Sequence, residues 1–304
     1  MRNYLSIDIG GTAIKYGLID HSGNLIEKGT VDTPQNLEEF KQSLIGIISM
    51  YKEKVYGLAF SVPGKVDSKQ GIIYFGGSLP FLNGFNFEKF IHEEVGVIPV
   101  GVENDGKAAA LAEMWLGNLK DIDDAAAIIL GTGVGGGIII NGRLLPGSHF
   151  QAGELSFMMS NFNSVGYEEL VGTNLSAVKM IEKIAVAENL TNKKDGRVVF
   201  TLINKGNSEV VKIFREYCKK IALLIINVQT VVDLTNFVIG GGISSQSILI
   251  KTINEEYDEI LNKLPLLNDT LTRPHIQKAK FENSANLYGA LYGLLQKIDN
   301  SSEF

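Results

Sequence analysis

The chain has 304 residues, 45% of them hydrophobic, enough to bury a sizeable core and to divide into two lobes. Its 28 basic residues against 34 acidic ones give a net charge of -6 without a long Lys/Arg run, which argues against a nucleic-acid partner. Cys218 is the one cysteine, so an internal disulfide and a cysteine zinc cluster are excluded. "MRNYLSIDIGG" enters an alternating strand without a long apolar segment, and a cytoplasmic protein with no membrane span is expected.

Taken in chain order, residues 4–9 read as a strand, Gly10-Gly11-Thr12 as a tight turn and 13–19 as a returning strand. A helical pattern over 37–51 leads to a strand at 55–60 and the turn Pro63-Gly64. Another strand, 98–102, ends in Glu103-Asn104-Asp105, just before the helix-forming run "GKAAALAEMWLG". After an acidic linker near 120–124, "AAAIILGTGVGGGIIINGRLL" repeats the opening order of strand, glycine turn and strand. Helices follow at 167–187 and 208–228, the latter carrying Cys218 on the apolar face with Phe214 and Ile221. The strand "NFVIGGGIS" then feeds a helix from about Ser245, and a last helix spans 285–298.

Gly131, Gly133 and Gly136 match the G-x-G-x-x-G spacing of a dinucleotide-binding turn. That motif requires a helix to leave the turn, so that its N-terminal amides can hold a pyrophosphate. Here Ile138-Ile139-Ile140 and the hairpin signal Asn141-Gly142 send the chain into a second strand, which disfavours that reading. No G-x-x-x-x-G-K-[ST] stretch occurs either. Two halves, each opened by a glycine hairpin, predict an α/β, two-lobed actin-like (ribonuclease H-like) ATPase fold with a cleft between the lobes. The first lobe is expected over 1–117, joined by the C-terminal helix 285–304, and the second over 118–284.

Several residues are candidates for chemistry, each with a plainer alternative. Gly10, Gly11 and Thr12 can bring backbone close to phosphates, with Asp8 holding a magnesium-bound water; a simple hairpin needs no ligand. Lys15 can extend toward a transferred phosphate or point to solvent. Gly240, Gly241 and Gly242 leave room for an adenine and ribose, or form a bare loop. Asp105 suits a general base that takes the proton of an attacking hydroxyl, but an aspartate here is also a favoured helix cap. Asn104 is correspondingly a sugar-hydroxyl partner or a turn residue. Glu154 and Glu168 can bind vicinal hydroxyls, and His21, His92, His149 and His275 show no pairing that suggests a metal site.

Together "IDIGGTAIKYGLID", "SVPGKVD", "VENDGKAAALAE", "GTGVGGGIIINGRLLPGSHFQAGE" and "FVIGGGIS" resemble, in order and over nearly the whole chain, the motifs of the ROK family of repressors, open reading frames and kinases. The resemblance implies an ATP- and Mg2+-dependent sugar kinase, a homodimer. Asp105 is its base, Asn104 and Glu154 bind sugar, and the glycine turns with Thr12 and Thr132 hold phosphates. Family repressors carry a helix-turn-helix before the first phosphate motif, which here starts within the first ten residues, so a DNA-binding role is not expected. Family kinases have Gly-His after Ala-Gly-Glu and a zinc-binding cysteine cluster. Here Glu154 is followed by Leu155-Ser156-Phe157, and "NFNSVGYEELVGT" stands where the cluster would be, so no zinc site is expected. Glu168, or Glu169, is the match for the sugar-binding glutamate after it. An aromatic Phe157 in place of the histidine resembles the zinc-less β-glucoside kinase branch, which phosphorylates the 6-hydroxyl of the nonreducing glucose of cellobiose-like compounds. Glucokinase, N-acetylmannosamine kinase, a catalytically silent sugar sensor and a sugar-independent ATPase are the alternatives.

Overall fold

The computed structural model describes residues 2–161 and 163–301; Phe162, inside the segment aligned with the zinc cluster, lies outside them, as do residues 302–304. The chain forms two compact units, the first made of 1–120, 144–152 and 284–304 and the second of 121–143 and 153–283. Residues 144–152 thus belong with the first unit, although Leu144 ends a strand of the second unit's sheet.

In the first unit, β1 (Asn3–Ile9), β2 (Ala13–Asp20) and β3 (Leu25–Asp32) form an antiparallel meander. Helix α1 (Leu37–Ser49) carries the chain to β4 (Gly57–Val62), which lies parallel to β1. A small hairpin, β5 (Lys65–Asp67) and β6 (Ile72–Phe75), precedes α2 (Phe87–Glu94), β7 (Val100–Asn104) and α3 (Asp105–Leu116). The sheet order is β3-β2-β1-β4-β7. All six residues of β4 are buried, as expected for a parallel strand covered on both faces. Phe40, Leu44 and Phe87 pack among the residues that cover one face. Leu287, Leu291 and Leu294 of the C-terminal helix, Ala285–Ser301, cluster with Tyr4 and Ala59 on the other.

The second unit repeats this plan. Strands β8 (Ala125–Leu130), β9 (Val134–Ile140) and β10 (Arg143–Leu144) begin it. The helices α4 (Val171–Asn174), α5 (Ala177–Ala187), α6 (Gly196–Lys205) and α7 (Ser208–Val232) then precede β11 (Asn236–Gly240). Helices α8 (Ser247–Lys263) and α9 (Pro265–Thr270) lead to β12 (His275–Lys278). The order β10-β9-β8-β11-β12 matches the first sheet position for position, with β8 antiparallel to β9 and parallel to β11. This is the ribonuclease H-like arrangement of the actin-like ATPase fold, occurring once in each unit.

The helix expected over 167–187 is broken. Residues Tyr167–Glu169 form a single 3-10 turn, α4 lasts four residues, and Ser176 starts α5 by accepting the Lys179 N–H on its hydroxyl at 3.2 Å. A serine that satisfies an otherwise orphaned helix donor favours a fresh start there over continuation.

Candidate active site

At the β1–β2 turn, the strands stay paired to Ile9 and Ile14, and the Gly10 N–H donates to Ala13 O at 3.1 Å. Thr33 clamps the turn from outside: its hydroxyl donates to Gly10 O at 2.6 Å and its N–H to Thr12 O at 2.9 Å. Gly11 and Thr12 remain exposed at the tip. Below it, Asp8 is 7% exposed, accepts from Asn286 Nδ2 at 2.9 Å and faces Lys15 Nζ at 3.8 Å. Asp8 and Lys15 are directly opposed across the antiparallel pair, which accounts for their meeting and turns Lys15 toward the carboxylate. The same register row continues through Ser61 of β4 to Glu103 of β7, so polar side chains cross four adjacent strands at this level.

Where that row ends, β7 passes into α3. The cap of α3 is Asn104, whose Oδ1 accepts the Lys107 N–H at 3.1 Å. Asp105 is the first helical residue, half-buried, and its Oδ1 accepts from Gly106 N at 2.8 Å and from Asn104 Nδ2 at 3.1 Å. The two readings of the Asn-Asp pair therefore separate: the asparagine does the capping and the carboxylate is held at the helix start. Asn104 Nδ2 also donates to Gly64 O at 2.9 Å, so both amide hydrogens are used within the protein. Toward a sugar hydroxyl Asn104 has only the second lone pair of Oδ1 to offer.

Two titratable neighbours of this pair are buried. Glu103 is buried and accepts the Asn104 N–H at 2.9 Å. Burial pushes its carboxyl up to about 7, against the Asn104 hydrogen bond and the Lys107 charge, which pull the other way. Lys107, 5% exposed, donates through Nζ to Phe150 O at 2.9 Å and Pro146 O at 3.3 Å. The helix that begins with Asp105 thus fastens the 146–150 segment of its own unit.

In the second unit, Gly131-Thr132-Gly133 is the turn between β8 and β9, closed by Gly131 N–H to Gly133 O at 3.0 Å. Gly131 O accepts from Ala177 N at 2.9 Å, which ties the turn to the start of α5; Thr132 is exposed. Gly240 ends β11 beside Ile129, and Gly241 follows at φ +94°. A Cβ on Gly241 would stand 2.0 Å from Leu130 O, so only glycine lets this turn approach the residue that precedes Gly131. The two glycine segments, separated by about a hundred residues of sequence, are thereby neighbours, and Gly242 is open around its Cα.

Glu154 is half-buried and accepts from the Ser156 hydroxyl, while Phe157 is 57% exposed. Glu168 pairs with Lys179 at 3.0 Å and lines a pocket of about 180 Å3 with Lys183, Tyr217 and Lys220. Glu169 accepts the Ser164 hydroxyl at 2.6 Å. Among the described residues no group of three or more His, Cys, Asp or Glu could hold a metal ion.

Sequence reasoning named Asp8, Asn104 and Asp105 but not the residues that fix them. Glu103 and Lys107 lie inside the quoted motif "VENDGKAAALAE", where their burial was the missing information. Asn286 had no local signal, since it reaches Asp8 across 278 positions of sequence.

Known proteins resemble the chain in sequence and in fold. The profile of the ROK family matches residues 4–297. A β-glucoside kinase from Listeria monocytogenes serovar 1/2a is 32% identical over 301 residues, 96% of this chain and 97% of that protein. A ROK family protein from Streptococcus pneumoniae, solved in complex with sucrose, superposes with a TM-score of 0.86 at 28% identity, covering 98% of this chain and 99% of that one. A ROK family glucokinase from Streptomyces griseus, solved with glucose and AMPPNP, shares the fold at a TM-score of 0.81 and 24% identity over 95% and 97% of the two chains.

Proposed function

The chain belongs to the ROK family, and from that premise we propose that it transfers the γ-phosphate of ATP to the 6-hydroxyl of the glucose ring of a β-glucoside such as cellobiose. That it is an ATP-dependent sugar kinase follows from the kinases it matches along nearly its whole length. The observation that carries the mechanism is the position of Asp105: Asn104 supplies the cap, and the Asp105 carboxylate, held by Gly106 N–H and Asn104 Nδ2 at the start of α3, is the group that accepts the proton of the attacking hydroxyl. As that oxygen bonds to the γ-phosphorus, the proton passes to Asp105 and ADP leaves with the electrons of the broken P–O bond.

In this reading the exposed tips Gly11-Thr12 and Gly131-Thr132-Gly133 present backbone N–H groups and hydroxyls to the phosphates, and the Gly240-Gly241-Gly242 turn admits adenine and ribose. Lys15, salt-bridged to Asp8, keeps a positive charge beside the phosphate turn. The carboxylate of Asp8, 7% exposed, suits Mg2+, which retains waters and takes most other ligands from the nucleotide. Asp8 would hold it through water, and the ion when bound neutralises charge on the β- and γ-phosphates. Glu154 and Asn104 would orient the sugar, with Phe157 offering an apolar surface where other family kinases place a histidine; Glu168 is the remaining sugar-binding candidate.

Asp105→Asn tests the base. Its kcat should fall at least about 100-fold while calorimetric sugar affinity stays within a factor of about three. Turnover within tenfold of the parent would remove Asp105 from the role. Substrate class is tested by kcat/KM for cellobiose, an aryl β-glucoside, glucose and N-acetylmannosamine. Preference for either monosaccharide would replace the β-glucoside assignment with glucokinase or N-acetylmannosamine kinase.

A further inference from the structure

The first unit exposes an aromatic pair that the phosphoryl-transfer chemistry does not use. Tyr74, on β6, is 48% exposed and lies near-parallel to the half-buried Phe150, with ring centroids 6.4 Å apart and 29° between planes. Aromatic pairs prefer an offset to a face-to-face sandwich, and Tyr74 keeps about half of its surface exposed beside Phe150. Tyr74 is anchored at its far end, where its hydroxyl donates to the buried Asp67 carboxylate at 3.4 Å, and Lys65 Nζ stands 5.7 Å from its ring centre.

Phe150 is held with more effort. Its φ is +60°, a region that bulky side chains rarely adopt, and the buried Lys107 ammonium grips its carbonyl. A ring kept half-exposed in an unfavourable backbone conformation by a buried lysine is not explained by core packing. Both rings are also tied to the Asp105 region. Lys107 lies two residues after Asp105, and Lys65 follows Gly64, whose carbonyl accepts from Asn104.

We infer that Tyr74 and Phe150 form the stacking platform for the second ring of a β-glucoside, the group beyond the glucose whose 6-hydroxyl faces Asp105. This rests on the β-glucoside reading above and says which residues recognise the aglycone. A β-linked glucopyranose carries its hydroxyls equatorially and shows C–H faces above and below, which suit the negative face of an aromatic ring; a phenyl aglycone stacks on the same surface. Lys65, whose Nζ lies over the Tyr74 ring, supplies a charged donor for equatorial hydroxyls.

The test compares kcat/KM for cellobiose and phenyl β-glucoside with that for glucose in the parent, Phe150→Gly and Tyr74→Ala, together with calorimetric titration of cellobiose. Phe150→Gly removes the ring where glycine suits the backbone, so the fold is spared. The β-glucoside to glucose ratio should fall about tenfold in each variant and cellobiose affinity with it, and Tyr74→Phe should restore both. If the parent uses β-glucosides and the variants keep its ratio and affinity, the platform is wrong and the kinase reading stands. If the parent phosphorylates only monosaccharides yet binds cellobiose less tightly in the variants, the platform stands and the substrate reading falls. Binding and turnover of β-glucosides both absent from the parent would overturn the two together.

Discussion

Glu103 sits buried one residue before the Asn104-Asp105 pair, with its carboxyl pushed up from 4.5 to about 7 by desolvation. Below the unfolded value both states carry the proton and stability is unaffected. Between about 4.5 and 7 the folded protein keeps a proton that the unfolded chain has lost, so stability drops as pH rises, and above 7 the whole cost is felt. That cost is on the order of 3 kcal/mol. Glu103→Gln keeps an acceptor for the Asn104 N–H but does not ionise. Urea denaturation of parent and variant at pH 5 and pH 8 should show the variant gaining on the parent between the two. A difference that stays constant over this window would show that the Glu103 carboxyl is not raised by folding. At this scale the sequence revealed the chemistry of Asn104 and Asp105 but not their division of labour, because which side chain caps a helix depends on where the first helical turn closes.

The C-terminal helix connects the far end of the sequence to the start of α3. It packs on β1, β4 and β7 and most extensively on α3, and it brings Asn286 to Asp8. Gly289 makes the approach to α3 possible: a Cβ there would stand 1.6 Å from Ala108 O, in the helix that begins with Asp105. Gly289→Ala should therefore push the helices apart, lower stability by about 1–3 kcal/mol and reduce kcat. Gly46 on the exposed side of α1 is the contrast, with nothing within 4 Å of its added Cβ, and Gly46→Ala should stabilise by up to about 1 kcal/mol. Equal denaturation midpoints for the two alanine variants would refute the close-packing account. Legibility differed among elements for physical reasons. Apolar central strands such as β1, β4 and β8 declared themselves by composition. The edge strand β3, "LIEKGTVD", is largely exposed and carries charges, so it lacks a buried-strand signature. The broken 167–187 segment hid its break because Ser176 is a cap only when the preceding turn fails to continue.

Across the whole molecule, two units repeat one strand order, and the glycine hairpin that opens each was what made the duplication visible. The path of residues 144–152 was not visible, since membership in a unit is decided by long-range contacts such as Lys107 with Phe150. Two separate cores also mean that heat need not unfold the protein in one step, so ligand effects are best read on each transition. A ligand that binds only the folded protein adds about 2.7 kcal/mol at a hundred times its Kd. At roughly 2–4 °C per kcal/mol for chains somewhat shorter than this one, that shifts a melting transition by several degrees. Mg-AMPPNP and cellobiose, each added alone at that excess, should both raise a transition, and Asp105→Asn should retain both shifts because it removes the proton acceptor rather than a phosphate contact. A DNA duplex at low salt should leave the melt unmoved, because the net charge is -6. A nucleotide shift without any sugar shift would favour an ATPase without a sugar site, and a sugar shift without a nucleotide shift would favour a sensor that has lost its kinase chemistry.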